Sequence, residues 1–391
     1  MTGFVAGSLY SQGFFILAIE RTEVDSARKP VFPHLNSMQM TKKSSLPWTG
    51  YVGLGLGIIL IVWLFSQLDL KRSAELISSI GFSSLLIILP FLVLHLLETF
   101  AWTKVFPRSI TKAPFFKLLK IQVIAETVSM TLPAGVAVGE PLRPYLCNRF
   151  MAIPIPSGIA SVAVRKLMLG LAQGLYTIAG SLIGFSLLQS VSLKMLGFEG
   201  LGYLLVASGV VVFLLFLFLL VLLLDGQAAR NVHRLLMLVP FKKVKEWLLV
   251  KESGFLDTDE ELKSYRGTYI SRLFPVLLLY LFAWSTLAIE SYTIMRLLGI
   301  NITFLEVLTI DIALTMLRTL FFFIPSGLGV QDVGYLAFFQ ALGIPDFLAY
   351  GGAFVLLRRL KEVFWYAAGY VVMFFSGVHL RDAETIAQGE P

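Results

Sequence analysis

One cysteine, Cys147, and four scattered histidines, His34, His95, His233 and His379, are all the thiol and imidazole chemistry in this chain of 391 residues. An internal disulfide and a thiolate metal cage are excluded. No HExxH, GxGxxG, P-loop or GxSxG string supplies a metal, dinucleotide, nucleotide or nucleophile-elbow site. Charge is scarce as well, at 15% of residues, against about a quarter in a soluble domain. The longest polar stretch, about 225–267, is too short and too lysine-rich to bury a core of its own. No catalytic residue, metal site or cofactor is expected, and no direct coupling to ATP.

What the chain has instead is apolar side chains, 57% of it, with a mean hydropathy of +0.79. That composition belongs to an integral membrane protein. The net charge of +7 then points to cytoplasmic loops beside anionic lipid rather than to nucleic acid. Residues 1–47 are irregular. Met38 and Met40 precede "TKKSSLPWTG" and mark an alternative start, so this segment is expected to be a poorly structured extension.

Spans are expected at about Trp48–Gln67, Phe82–Val105, Pro156–Leu188, Leu201–Leu224, Leu273–Leu298 and Phe347–Gly377. Two proline-broken segments lie among them, about Pro114–Phe150 and Phe304–Leu342. "LPAGVAVGEPLRPYL" can be laid on "IPSGLGVQDVGYLAF", matching Pro133 with Pro325, Gly135 with Gly327 and Glu140 with Asp332. Further on, Arg165-Lys166 matches Arg358-Arg359, and Gly180 matches Gly369 to within a few residues. If each broken segment enters and leaves on one side, the second copy is upside down, as in transporters built from inverted repeats. The expected fold is therefore all-α: six transmembrane helices plus two re-entrant helical hairpins in an inverted repeat. Its halves are about 48–224 and 270–377, joined by a cytoplasmic amphipathic segment at 225–269 and followed by a cytoplasmic tail at 378–391.

Charge placement favours this topology. With the N-terminus inside, the loop 104–120 faces the cytoplasm with Lys104, Arg108, Lys112, Lys117 and Lys120 and no acid. The basic 225–272 loop and the C-terminus face inward too, while the outer loops hold only Lys71, Arg72 and Lys194 as bases. Had the broken segments spanned fully, the 225–272 loop would lie outside. Within it, "RNVHRLLMLVPFKKVKEWLL" reads as an interfacial segment or as a solvated connector.

The breaks place Pro133, Gly135, Gly139, Pro325, Gly327 and Gly329 at membrane depth, where an interrupted backbone needs protein or water around it. Glu140 and Asp332 read as N-caps of the returning helices, with or without a further role. Those helix starts offer partial positive charge to an anion, and Arg143 adds to it at the first site. Arg165 and Lys166 lie about 15 Å into their helix, near the midplane. Arg358 and Arg359 lie at comparable depth. Two readings stay open: internal salt bridging, and a hydrated cavity that binds the anionic head group of a lipid. Arg318 and Glu126 sit at equal offsets before Pro325 and Pro133, with opposite signs that could complement each other across the two copies.

"LPAGVAVGEPLR" with its basic long helix, then "FIPSGLGVQDVGYLAFFQALGI" with "RRLKEVFWYAAGY", resembles the lysylphosphatidylglycerol synthase transmembrane-region family, also called the flippase-like domain. The likeness covers about Trp48 to Gly377. Carried over by match are Pro133, Gly139, Glu140, Arg143, Pro325, Gly327, Gly329, Asp332 and Arg358. Asp332 stands where the family usually has glutamate. Val164 stands beside Arg165 where the family tends to have an acid, so a local ion pair is expected to be missing. The resemblance implies movement of an aminoacylated or other phospholipid between leaflets of a bacterial or archaeal cytoplasmic membrane. No aminoacyltransferase domain follows Gly377, so synthase activity is not carried over and no enzyme is expected. The expected partners are membrane lipids and lipid-synthesis enzymes. The alternatives are a membrane-embedded transferase or an accessory protein in lipid-linked sugar, hopanoid or lysylphosphatidylglycerol pathways.

Overall fold

The computed structural model describes residues 48–110, 112–132, 135–228, 230–231, 234, 252–265, 271–321 and 324–379. The extension at 1–47, Pro133, all of the 230–249 run but residues 230, 231 and 234, and the tail from 380 lie outside the described residues. Among those described, all regular structure is helical. In chain order the helices are α1 (Trp48–Gln67), α2 (Leu70–Ile80), a 3-10 stretch (Gly81–Ile88), α3 (Leu89–Lys104), α4 (Phe115–Thr131), α5 (Gly135–Met151) and α6 (Ile155–Ile183). They continue with α7 (Phe185–Leu196), α8 (Leu201–Leu224), α9 (Glu252–Lys263), α10 (Leu273–Leu297), α11 (Phe304–Leu320), α12 (Val330–Ala341) and α13 (Phe347–Phe375).

Four described helical stretches are long and apolar enough to cross a membrane: Leu70–Lys104, α6, α8 and α10. α8 carries no charge over 24 residues and leaves Leu204, Val211, Leu214 and Phe218 exposed, as a lipid-facing helix does. α13 has the length, at 29 residues, but Arg358, Arg359, Lys361 and Glu362 interrupt its apolar run. Val52–Gln67 of α1 is apolar but shorter. Two stretches expected as outer loops are helical. Asp69 caps α2 by accepting the Arg72 N–H at 2.9 Å, and the amphipathic α2 ends at Gly81 with φ 56°. α7 follows because Gly184 closes α6 short of the expected end at Leu188.

The first break lies earlier than the prolines suggest. α5 begins at Gly135, so Glu140 is not its N-cap, and Gly139, Pro141 and Pro144 lie inside the helix. Proline's fixed φ suits a helix; it withholds an N–H from the carbonyl four residues back without ending the rod here. The glycines serve contact with α4. A Cβ on Gly135 would sit 2.3 Å from the Ser129 carbonyl oxygen, and one on Gly139 would sit 1.9 Å from Ser129 Oγ. The second break is conformational. Pro325–Gly327 form one 3-10 turn, with Ser326 at φ 53°, Gly327 at φ 62° and Gly329 at φ 78°. Asp332 lies three residues into the helix rather than at its cap, and from there accepts the Gly329 N–H at 3.0 Å.

Packing comes in related pairs. α3 lies on α10; α4 lies on α13 as α11 lies on α6; α4 folds back on α5 as α11 does on α12; α5 lies on α6 as α12 lies on α13. Glycines permit the long crossings: Gly369 of α13 meets Thr127 of α4, and Gly180 of α6 meets Ile312 of α11. Two apolar clusters fill the interior, one around Trp102, Ile121 and Leu146, the other around Ile310, Phe339 and Phe354.

Candidate functional site

The charges that the sequence places at depth are brought together in two networks. In the first, α5 sets Glu140 between Arg143, at 2.9 Å, and Lys166 of α6, at 2.8 Å. Arg143 also reaches Glu126 of α4 at 3.1 Å. Arg165 bonds Glu98 of α3 at 2.8 Å and Gln122 Oε1 at 3.0 Å, and Gln122 donates to Glu98 at 2.6 Å. The Arg165 guanidinium lies over Trp102, with 5.5 Å to the ring centroid. Arg143 and Arg165 are buried, whereas Lys166 is 48% exposed and is the network's outlet to its surroundings.

In the second network Asp332, fully buried on α12, pairs with Arg359 of α13, which also holds Glu362 at 2.5 Å. Lys361 bridges Glu290 of α10 at 2.9 Å, with both side chains buried. Arg358 donates to Gln331 Oε1 at 2.9 Å and lies over the Tyr335 ring, 5.1 Å from its centroid. Tyr335 in turn donates to Asp311 Oδ1 at 3.2 Å and shares a 2.8 Å hydrogen bond with Ser291.

The layouts correspond. The second base of each pair, Lys166 or Arg359, meets the acid of its motif, Glu140 or Asp332. Each network also contains a carboxylate from the helix three elements back, Glu98 of α3 or Glu290 of α10. Glu98 escapes a reading by local motif because it is remote in sequence. Its signal was the offset to Glu290, which equals that from Glu140 to Asp332. It supplies the ion pair that Val164 cannot, so Arg165 does not lack one. Glu126 and Arg318 do not complement each other. Glu126 pairs with Arg143, and Arg318 directs Nη2 to Met130 Sδ at 3.5 Å.

The two breaks meet. Ser326 donates to the Met130 carbonyl at 3.2 Å and shares a 2.8 Å hydrogen bond with Tyr366 of α13. Thr131 and Tyr370 share another at 2.5 Å. Among the described residues, hydroxyls from α13 thus reach both breaks, and Ser326 of the second break serves a backbone carbonyl beside the first.

A model of the lysylphosphatidylglycerol synthase transmembrane region matches residues 51–369. The chain belongs to this family. The matched span contains both breaks and both networks. The family's membership is of multi-pass membrane proteins tied to lipid metabolism, which agrees with the apolar helices. No curated protein and no solved structure matches the chain.

Proposed function

We propose that this protein moves an anionic or modified phospholipid between the leaflets of a cytoplasmic membrane, passively or down a gradient, and is not an enzyme. The observation that carries the reading is the pair of matched ion networks, each built on a broken segment, with the two tips in contact. The paired packing of α4 on α13 and α11 on α6 supports two copies of one unit. Basic loops at 104–120 and 225–272 support six spans, two re-entrant hairpins, an inverted second copy and both termini in the cytoplasm.

The chemistry is an exchange of partners. At rest, carboxylates occupy most of the buried cations. A head-group phosphate entering between the copies can take the place of a carboxylate on arginine or lysine, with little change in the number of charge-assisted bonds. Glu140 and Asp332 keep the cations oriented while the site is empty. The acyl tails remain in lipid beside the exposed apolar faces. The test is reconstitution of the full chain into vesicles with fluorescent phosphatidylglycerol and a membrane-impermeant quencher. The inner-leaflet label becomes accessible in vesicles that hold the protein, and stays protected in protein-free vesicles. Protection in both would reject the reading.

A further inference from the structure

Arg143, Arg165, Lys166, Arg359 and Lys361 each bridge a carboxylate. Arg318 and Arg358 do not: among the described residues, neither has a carboxylate oxygen at bridging distance. The one polar contact that Arg318 makes is with the sulfur of Met130, a weak acceptor. Arg358 spends Nη2 on the neutral Gln331, and its Nη1 is buried without any acceptor. Arginine at membrane depth is costly, and one whose nearby acids (for Arg358, Asp311, Glu290, Asp332 and Glu362) all stay beyond bridging distance keeps donors for a further anion.

The two arginines flank one turn. A Cβ on Gly327 would lie 3.3 Å from Arg318 Cγ and 3.3 Å from Gln331 Oε1, the acceptor of Arg358. Gly327, at φ 62° and without a side chain, lets the turn approach both side chains closely. The first break is built differently. Glu126 stands where Arg318 stands in the second copy, and Arg143 neutralises it. At the first break each described cation of the network bridges a carboxylate directly, whereas at the second Arg318 and Arg358 do not.

We infer that Arg318 and Arg358 together bind a phosphate group at the second break, whereas the first break has no pair of unbridged arginines. In a lipid-moving protein this phosphate belongs to the head group, so the inference rests on the reading above and locates its binding step. A soluble phosphate ester would present the same chemistry, and the test separates the two.

The purified full chain in detergent is examined by native mass spectrometry with phosphatidylglycerol, and separately with inorganic phosphate. The variants are Arg318→Gln, Arg358→Gln, the double variant and Arg72→Gln, an exposed arginine bridged only to Glu75. Each single site variant is expected to retain phosphatidylglycerol about tenfold less well than wild type, and the double variant to lose it. Arg72→Gln should match wild type. Arg318→Lys keeps the charge without the fork and should fall between, which guards against a folding artefact. Phosphatidylglycerol retention that millimolar phosphate does not displace assigns the site to a lipid. Inorganic phosphate bound by wild type, lost from both variants, with no lipid retained, upholds the anion site and removes the lipid reading. Equal retention of both probes by wild type and all variants overturns the inference.

Discussion

Arg165 is 2% exposed and shares Glu98 with Gln122, so its charge is balanced only while that carboxylate is present. Removing one partner of a buried pair costs about 3–5 kcal/mol, because the other charge stays behind in low dielectric. Arg165→Ala should therefore lower the unfolding free energy by about that much, measured by thermal or chemical denaturation in detergent. Adding Glu98→Gln should recover part of the loss, since a neutral amide no longer needs a cation. Arg318→Ala strands no carboxylate and should cost about 1 kcal/mol or less. A similar loss for Arg165→Ala and Arg318→Ala would mean that the networks are not what the distances indicate. At this scale the basic pairs were legible, because two charges at matched depth in apolar helices are rare. Their acids were less so. Glu98 comes from α3 and Glu290 from α10, and nothing local to Arg165 or Lys361 names them.

The breaks belong to the scale of elements. Pro-Gly strings marked both segments as interrupted, and among the described residues left-handed backbone shapes the second break. At the first, the helix resumes at Gly135, ahead of the proline that looked like its start. The reason is contact between α4 and α5, a property of two helices that one stretch of sequence does not state. Gly139→Ala should push α5 off Ser129 and destabilise the protein by about 1–3 kcal/mol through overpacking. Gly327→Ala should cost about 1–2 kcal/mol, for the different reason that φ 62° is unfavourable for a side chain. Replacing Ser129 by glycine should relieve Gly139→Ala in part, since the Ala125 carbonyl oxygen 2.6 Å from the added Cβ remains, and leave Gly327→Ala unchanged, as judged by melting temperature. α2 and α7 were hidden as loops because each is short and amphipathic and lies against long apolar neighbours.

For the whole molecule, the family and its membrane setting were readable from two motifs, and the match over 51–369 bears that out. The arrangement of spans is a finer proposal with its own check. A cysteine placed at Lys71 should react with a membrane-impermeant thiol reagent added outside, and one at Arg108 only after the membrane is opened. Cys147 is buried and should stay silent in both experiments. Labelling of position 108 from outside would reverse the topology. Gly180 packs on Ile312 and Gly369 on Thr127, each joining the two halves of the chain, so Gly180→Leu and Gly369→Leu should both lower the melting temperature and, on the proposed function, slow lipid movement.

The central claim is that lipid crosses between the broken segments under control of their ion pairs. Leaflet-resolved quenching of fluorescent phosphatidylglycerol, comparing wild type with Asp332→Ala in the same vesicles, tests it most directly. Asp332→Ala frees Arg359 from one partner and leaves the Gly329 amide without its acceptor. The account predicts rapid loss of inner-leaflet label with wild type and a rate slower by about tenfold or more with the variant at equal protein content. Equal rates for the two proteins would contradict it.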